Sequence, residues 1–151
     1  MEKDFIEWHG LKTKLQAQDR NKFFQERELW FCSIGMNLGS EIDGKQSLFL
    51  RPVIVIRKFT SDLFWGIPLT STFLTGSYFY QLDFRGRIST VLLLQMRLLD
   101  RKRLFRKVGT ILDSDFVALQ NQLKNLLTPS KCEIPPRGRD FSEAEANVPP
   151  V

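Results

Sequence analysis

Residues 51–56 read Arg51-Pro52-Val53-Ile54-Val55-Ile56, and the β-branched run from Pro52 to Ile56 is the clearest strand signal in the chain. A second strand is predicted over 63–69, with Pro68 near its end, where a missing ladder N–H does least harm. Upstream, Trp30, Cys32, Ile34 and Met36 alternate with residues of the other side and predict a strand over 28–36. Downstream, 78–84 and 89–94 fit a hairpin across Arg85-Gly86-Arg87. Short strands separated by turns predict a small curved sheet or barrel.

Two helices flank these strands. Phe5, Trp8, Leu11 and Leu15 recur at spacings of three and four, which places them on one face of an N-terminal amphipathic helix. Phe116, Leu119, Leu123, Leu126 and Leu127 form a second apolar stripe, with Asp113 as the predicted cap, and this helix is expected to pack on the sheet. The fold class is therefore mainly β with flanking helices (α+β). Residues 37–50 hold Gly39, Gly44 and an Asp43-Gly44 turn signal and are expected to leave the sheet as a long, mobile loop. Five of the seven prolines lie beyond Thr128 and predict a loosely ordered tail. The aromatic residues Trp65, Tyr78, Phe79 and Tyr80 are expected in the core, with a base-stacking face as the sharper reading.

With 151 residues the chain has room for one ordinary domain. Twenty-two Lys and Arg against seventeen Asp and Glu leave a net charge of +5, which favours an anionic partner such as nucleic acid. The basic residues form no continuous run, so folding has to assemble any electrostatic footprint, and a surface groove is its natural form. Two cysteines, Cys32 and Cys132, are not the framework of a disulfide-stapled secreted domain, and no apolar run approaches the length of a membrane span. A protein of the reducing cytoplasm, without membrane contact, is expected.

The single His9 has no metal-ligand companion, the cysteines fail zinc spacing, and no Gly-rich phosphate loop of the Walker type occurs. Neither a metal nor a cofactor is expected. What remains suits cleavage of RNA by its own 2′-hydroxyl. An arginine binds two phosphoryl oxygens and keeps its charge, and a neighbouring hydroxyl adds a hydrogen bond.

Gly39-Ser40-Glu41, Arg51-Pro52-Val53-Ile54-Val55-Ile56, Pro68-Leu69-Thr70-Ser71, and Gln95-Met96-Arg97-Leu98-Leu99-Asp100 followed by Lys102-Arg103-Leu104 together resemble the MazF/PemK toxins in order and approximate spacing. Each piece is common; the ordered set carries the resemblance, which covers roughly residues 27–127. It makes 1–26 a helical extension and 128–151 a tail. The resemblance implies an SH3-like curved antiparallel barrel, a homodimer, sequence-selective cleavage of single-stranded RNA, and inhibition by a cognate antitoxin. It also implies Arg51 and Thr70 as the catalytic pair, with Glu41 near them. Lys45, Ser71, Arg85, Arg87, Gln95 and Arg97 are candidate RNA contacts, although Arg85 and Arg87 equally suit a solvated turn and Lys45 a solvated loop. Some family members carry an acidic residue just before the glutamine, where this chain has Leu94, and PemK-type relatives have an arginine at the position of Leu92. The general base is thereby left open, with Glu41 the first candidate, and a barrel that binds RNA or protein without cutting is the rival reading.

Overall fold

The computed structural model describes residues 3–18 and 21–128. Seven strands form one curled antiparallel sheet: β1 (Glu28–Ser33), β2 (Leu50–Lys58), β3 (Leu63–Thr70), β4 (Phe79–Phe84), β5 (Arg87–Leu92), β6 (Arg97–Asp100) and β7 (Leu104–Thr110). Helix α1 (Phe5–Ala17) precedes the sheet and α2 (Asp113–Leu127) follows it. The strand order is β4-β5-β3-β2-β1-β7, with β6 also paired to β3.

The β2 run is apolar at every step because the strand is buried on both faces. Ile54 and Ile56 enter one cluster with Ile67, Leu69, Leu82, Val91, Phe116 and Leu119 beneath α2. Val53 and Val55 enter a second with Phe24, Trp30, Cys32, Phe64 and Leu104. The sheet curls far enough that its two edge strands approach each other. A Cβ at Gly109 of β7 would lie 2.5 Å from the Phe84 ring at the end of β4, so the glycine makes room for that contact. The result is a half-barrel with one helix before the sheet and one after it.

Several expectations shift. The hairpin turn is the two-residue Arg85-Gly86 pair, both at positive φ (55° and 77°), a type I′ geometry that leaves Arg87 as the first residue of β5 opposite Phe84. Asp113 is not the cap of α2. Leu112 takes that position without a side-chain cap, and Asp113 pairs with Arg27 at 2.6 Å. Trp65 and Tyr78 are 42% and 49% exposed rather than in the core, and Phe79 and Tyr80 are half-buried. On α1, Leu15 is buried and Trp8 and Leu11 half-buried, while Phe5 is exposed. On α2, Phe116 and Leu119 are buried and Leu127 is exposed. β6 and β7 have no counterpart in the sequence reading. No helix among the described residues is long and apolar enough to cross a membrane. The tail after Thr128, with Cys132, lies outside the described residues.

Candidate active site

Arg51 lies at the start of β2 opposite Cys32 of β1, and Thr70 ends β3 opposite Thr90 of β5. The β2–β3 ladder runs from Lys58 opposite Phe64 to Val53 opposite Pro68. Arg51 and Thr70 both lie two residues beyond the last pair of that ladder, at the same end of the two strands. Pro52 and Pro68 flank the point where the ladder ends, and neither has an N–H to continue it. Beyond them β3 pairs with β5 instead, and the strand ends part around a gap.

Two cavities open there, of about 530 Å³ and about 850 Å³, and Lys45, Arg51 and Thr70 line both. The smaller is walled by Ile42, Leu74, Tyr78, Phe79, Leu92 and Leu94. The larger adds Ser71, Arg87 and Arg106 to an apolar floor that includes Phe31, Phe84 and Phe105. No Asp or Glu lines either cavity, and four cations do: Lys45, Arg51, Arg87 and Arg106.

Arg51 is 9% exposed, and its Nε donates to the Asp43 carbonyl at 2.6 Å. Its Nη atoms have no partner among the described residues and remain available to an anion. Burial pushes the guanidinium pKa below its ordinary value and Asp43 pulls it back up; an arginine starts so high that it keeps its charge. Thr70 is 7% exposed, and its Oγ1 accepts the Thr72 N–H at 3.2 Å, which leaves the hydroxyl proton free to donate. Thr90 Oγ1 donates to the Thr72 carbonyl at 2.8 Å and accepts the Leu74 N–H, while Gln81 Nε2 donates to the Leu74 carbonyl at 2.6 Å. These bonds fix the wall that continues from Thr70.

The other predicted residues divide into three groups. Lys45, Ser71 and Arg87 face the cavities. Gln95 lines the smaller cavity, but its amide is engaged on the loop that precedes β2: Oε1 accepts the Ile42 N–H and Nε2 donates to the Ser40 carbonyl, both at 3.2 Å. Arg97 reaches the same loop through Asn37 Oδ1 at 3.3 Å and lines neither cavity. Arg85 stands at the hairpin tip with its guanidinium 5.1 Å from the Phe84 ring centre, and Glu41 turns back to accept the Leu38 N–H at 3.2 Å; neither lines a cavity. The loop expected to be mobile is thus laced down from several sides. Asp43, which orients Arg51, was legible in sequence only as a turn residue.

Among the described residues no group of three or more His, Cys, Asp or Glu side chains is placed to hold a metal. Cys32 is free and fully buried, and that burial pushes its thiol pKa far above the ordinary range.

The family described as "PemK-like, MazF-like toxin of type II toxin-antitoxin system" matches residues 25–127. Among solved structures, that of MazF (form I) from Deinococcus radiodurans is similar with a TM-score of 0.57 and 19% identity, over 70% of this chain and 97% of that one. An endoribonuclease in complex with its cognate antitoxin from a mycobacterial species aligns with a TM-score of 0.52 and 14% identity, over 69% of this chain and 94% of that one. The MazE–MazF complex from Deinococcus radiodurans gives 0.52 and 17%, over 72% and 99%. At these identities the likeness bears on the fold, the curled half-barrel with its helices. No curated protein sequence matches the chain.

Proposed function

The chain belongs to the PemK-like, MazF-like toxin family of type II toxin–antitoxin systems, and on that premise we propose that it is an endoribonuclease that cuts single-stranded RNA without a metal. The observation that carries the reading is the placement of Arg51 and Thr70 on the wall shared by two cavities that present cations and no carboxylate. In the proposed reaction the ribose 2′-oxygen attacks the adjacent phosphorus, the bond from phosphorus to the 5′-oxygen breaks, and the products are a cyclic phosphate and a 5′-hydroxyl. The 2′-proton leaves to water and the departing 5′-oxygen takes one from it. The two Nη groups of Arg51 bind the phosphoryl oxygens as charge grows on them, and the Thr70 hydroxyl donates a further hydrogen bond. Lys45, Arg87 and Arg106 hold the strand on either side. Glu41 acts on its own turn rather than on the phosphate.

We further propose a homodimer in the cytoplasm, held inactive by an antitoxin that competes for the same cationic cleft. The family and the antitoxin-bound form of a structural neighbour support the antitoxin as partner. The one observation that favours the rival, a barrel that binds RNA without cutting it, is Leu94 in the cavity wall in place of an acid.

Incubation of purified protein with RNA in excess EDTA decides between the two readings. The expected result is cleavage by the wild type, a fall of roughly 10²–10³-fold in Arg51→Ala, and about tenfold in Thr70→Val. No cleavage at any enzyme concentration, or equal cleavage by Arg51→Ala, refutes the enzymatic reading.

A further inference from the structure

Helix α1 lies outside the family-matched residues 25–127, yet it is fastened to the loop that orients Arg51. It is tied down at three points, two of them at or beside that loop. At the entry to α1, Lys3 Nζ contacts Asp43 Oδ2 at 3.0 Å, the Asn37 carbonyl at 2.6 Å and the Gly39 carbonyl at 3.3 Å, one acceptor for each ammonium proton. At the middle, Trp8 fills a notch that exists because residue 35 is glycine: a Cβ there would lie 2.3 Å from the indole. The indole meets Phe49 edge-on at 5.5 Å and carries the Arg103 guanidinium 5.4 Å from its ring centre. At the far end, Lys102 Nζ donates to the Gln16 carbonyl at 2.8 Å.

Asp43 joins this brace to the candidate site. Its carboxylate is held by Lys3 on Oδ2 and by the Asn37 N–H on Oδ1 at 2.6 Å, while its carbonyl receives Arg51 Nε. The carbonyl can aim the guanidinium only while residue 43 stays in place, and among the described residues Lys3 is the side chain from outside the loop that pairs with its carboxylate. We propose that Lys3 is a positioning residue for Arg51, acting through Asp43, so that α1 serves as a brace that preorganises the RNA-cleaving arginine before substrate arrives. The inference rests on Arg51 as the group that meets the phosphate. It assigns the N-terminal helix a role in the cleavage step itself, by the general rule that small misplacements of a charge-stabilising group are costly.

The test uses the full chain and three variants, Lys3→Ala, Lys3→Arg and Asp43→Asn. Three quantities are measured: the single-turnover cleavage rate on a random-sequence single-stranded RNA, affinity for its uncleavable 2′-deoxy analogue, and solvent exchange of the Arg51 Nε–H by nitrogen-15 NMR. Both Lys3→Ala and Asp43→Asn should cut about three- to fivefold more slowly, the range that a partly exposed ion pair can bias. Affinity for the analogue should change by less than about twofold, and Arg51 Nε–H exchange should quicken by a factor similar to the loss in rate. Lys3→Arg should restore both rate and protection. Unchanged cleavage in Lys3→Ala, or Nε–H exchange equal to that of the wild type, overturns the proposal. A wild-type chain that cuts no RNA overturns the enzymatic reading instead, and the exchange measurement then still decides whether Lys3 positions Arg51.

Discussion

Replacing Arg51 with lysine separates the charge of this side chain from its shape. Arg51 uses Nε to hold the Asp43 carbonyl at 2.6 Å and keeps two further nitrogens for a ligand. A lysine has one nitrogen for both tasks. If that nitrogen stays on the carbonyl it is lost to the phosphate, and if it reaches the phosphate it loses its anchor and the fork that binds two oxygens at once. At a side chain only 9% exposed, losing one donor aimed at developing charge costs about 2.7–4 kcal/mol, or roughly 10²–10³ in rate. Affinity should respond differently, because the positive charge that draws RNA into the cleft is retained. We expect Arg51→Lys to cut roughly 10²-fold more slowly in single turnover and to bind the uncleavable 2′-deoxy analogue within about fivefold of wild type. A thermal melt run alongside confirms that the variant is folded. A rate within about threefold of wild type, or a rate and an affinity that fall together, refutes the separate anchoring and phosphate roles given to the guanidinium.

Three further perturbations test the supporting structure. Gly35→Ala combines a backbone at φ +90° with a Cβ 2.3 Å from Trp8, and should cost about 2–3 kcal/mol in urea denaturation with a red shift of indole emission; a loss below about 1 kcal/mol would show that the notch is not needed. At Glu28, 7% exposed, burial raises the carboxyl pKa, but Lys107, the Trp30 Nε1–H and the Gln25 N–H outweigh it and hold the net value below the ordinary one. That stabilisation is present above the unfolded value and is lost as pH falls through the folded one, so Glu28→Gln should flatten the acid side of the stability–pH curve; identical curves would contradict this. Leu94→Glu puts a carboxylate on the wall shared with Arg51 and Thr70, and should raise cleavage by about tenfold or more and give the rate an acid limb. An unchanged rate with a flat pH profile would show that no base is missing there.

The strands most legible in sequence are those whose two faces have distinct or extreme burial. The β2 run announced itself because both of its faces are interior, and the Arg85-Gly86 hairpin because its turn chemistry is local. β6 and β7 were hidden for a physical reason. β7 is an edge strand in which Phe105, Arg106 and Lys107 are all exposed, so it shows neither an alternating nor a continuous apolar pattern, and its charge guards the open edge against pairing with other chains. That Arg51 and Thr70 reach one cavity wall depends on β3 leaving β2 at the two prolines, which no local pattern reveals. Trp65 misled for a related reason: with Phe59 against it edge-on at 4.9 Å, it lies on the outer surface of a strand whose alternate residues are core. Gln95 and Arg97 are candidate RNA contacts through the family resemblance, and no sequence pattern shows that they also bond to the chain's own loop. Which polar side chains are already satisfied is a tertiary fact.

That distinction bears on why the cleft stays cationic. A buried arginine is usually oriented by a carboxylate, which also cancels its charge. Here the orienting atom is a carbonyl, and a neutral dipole directs the guanidinium while leaving its full charge to a ligand. The nearby carboxylates are occupied elsewhere: Asp43 by Lys3 and the Asn37 N–H, Glu41 by the Leu38 N–H of its own turn. If Asp43 were to swing its carboxylate onto Arg51, the fork would be filled and phosphate would have to displace a desolvated ion pair, at a cost that grows with burial. Held by Lys3 and by the Asn37 N–H together, that carboxylate stays on its own loop, while the carbonyl of the same residue aims the guanidinium.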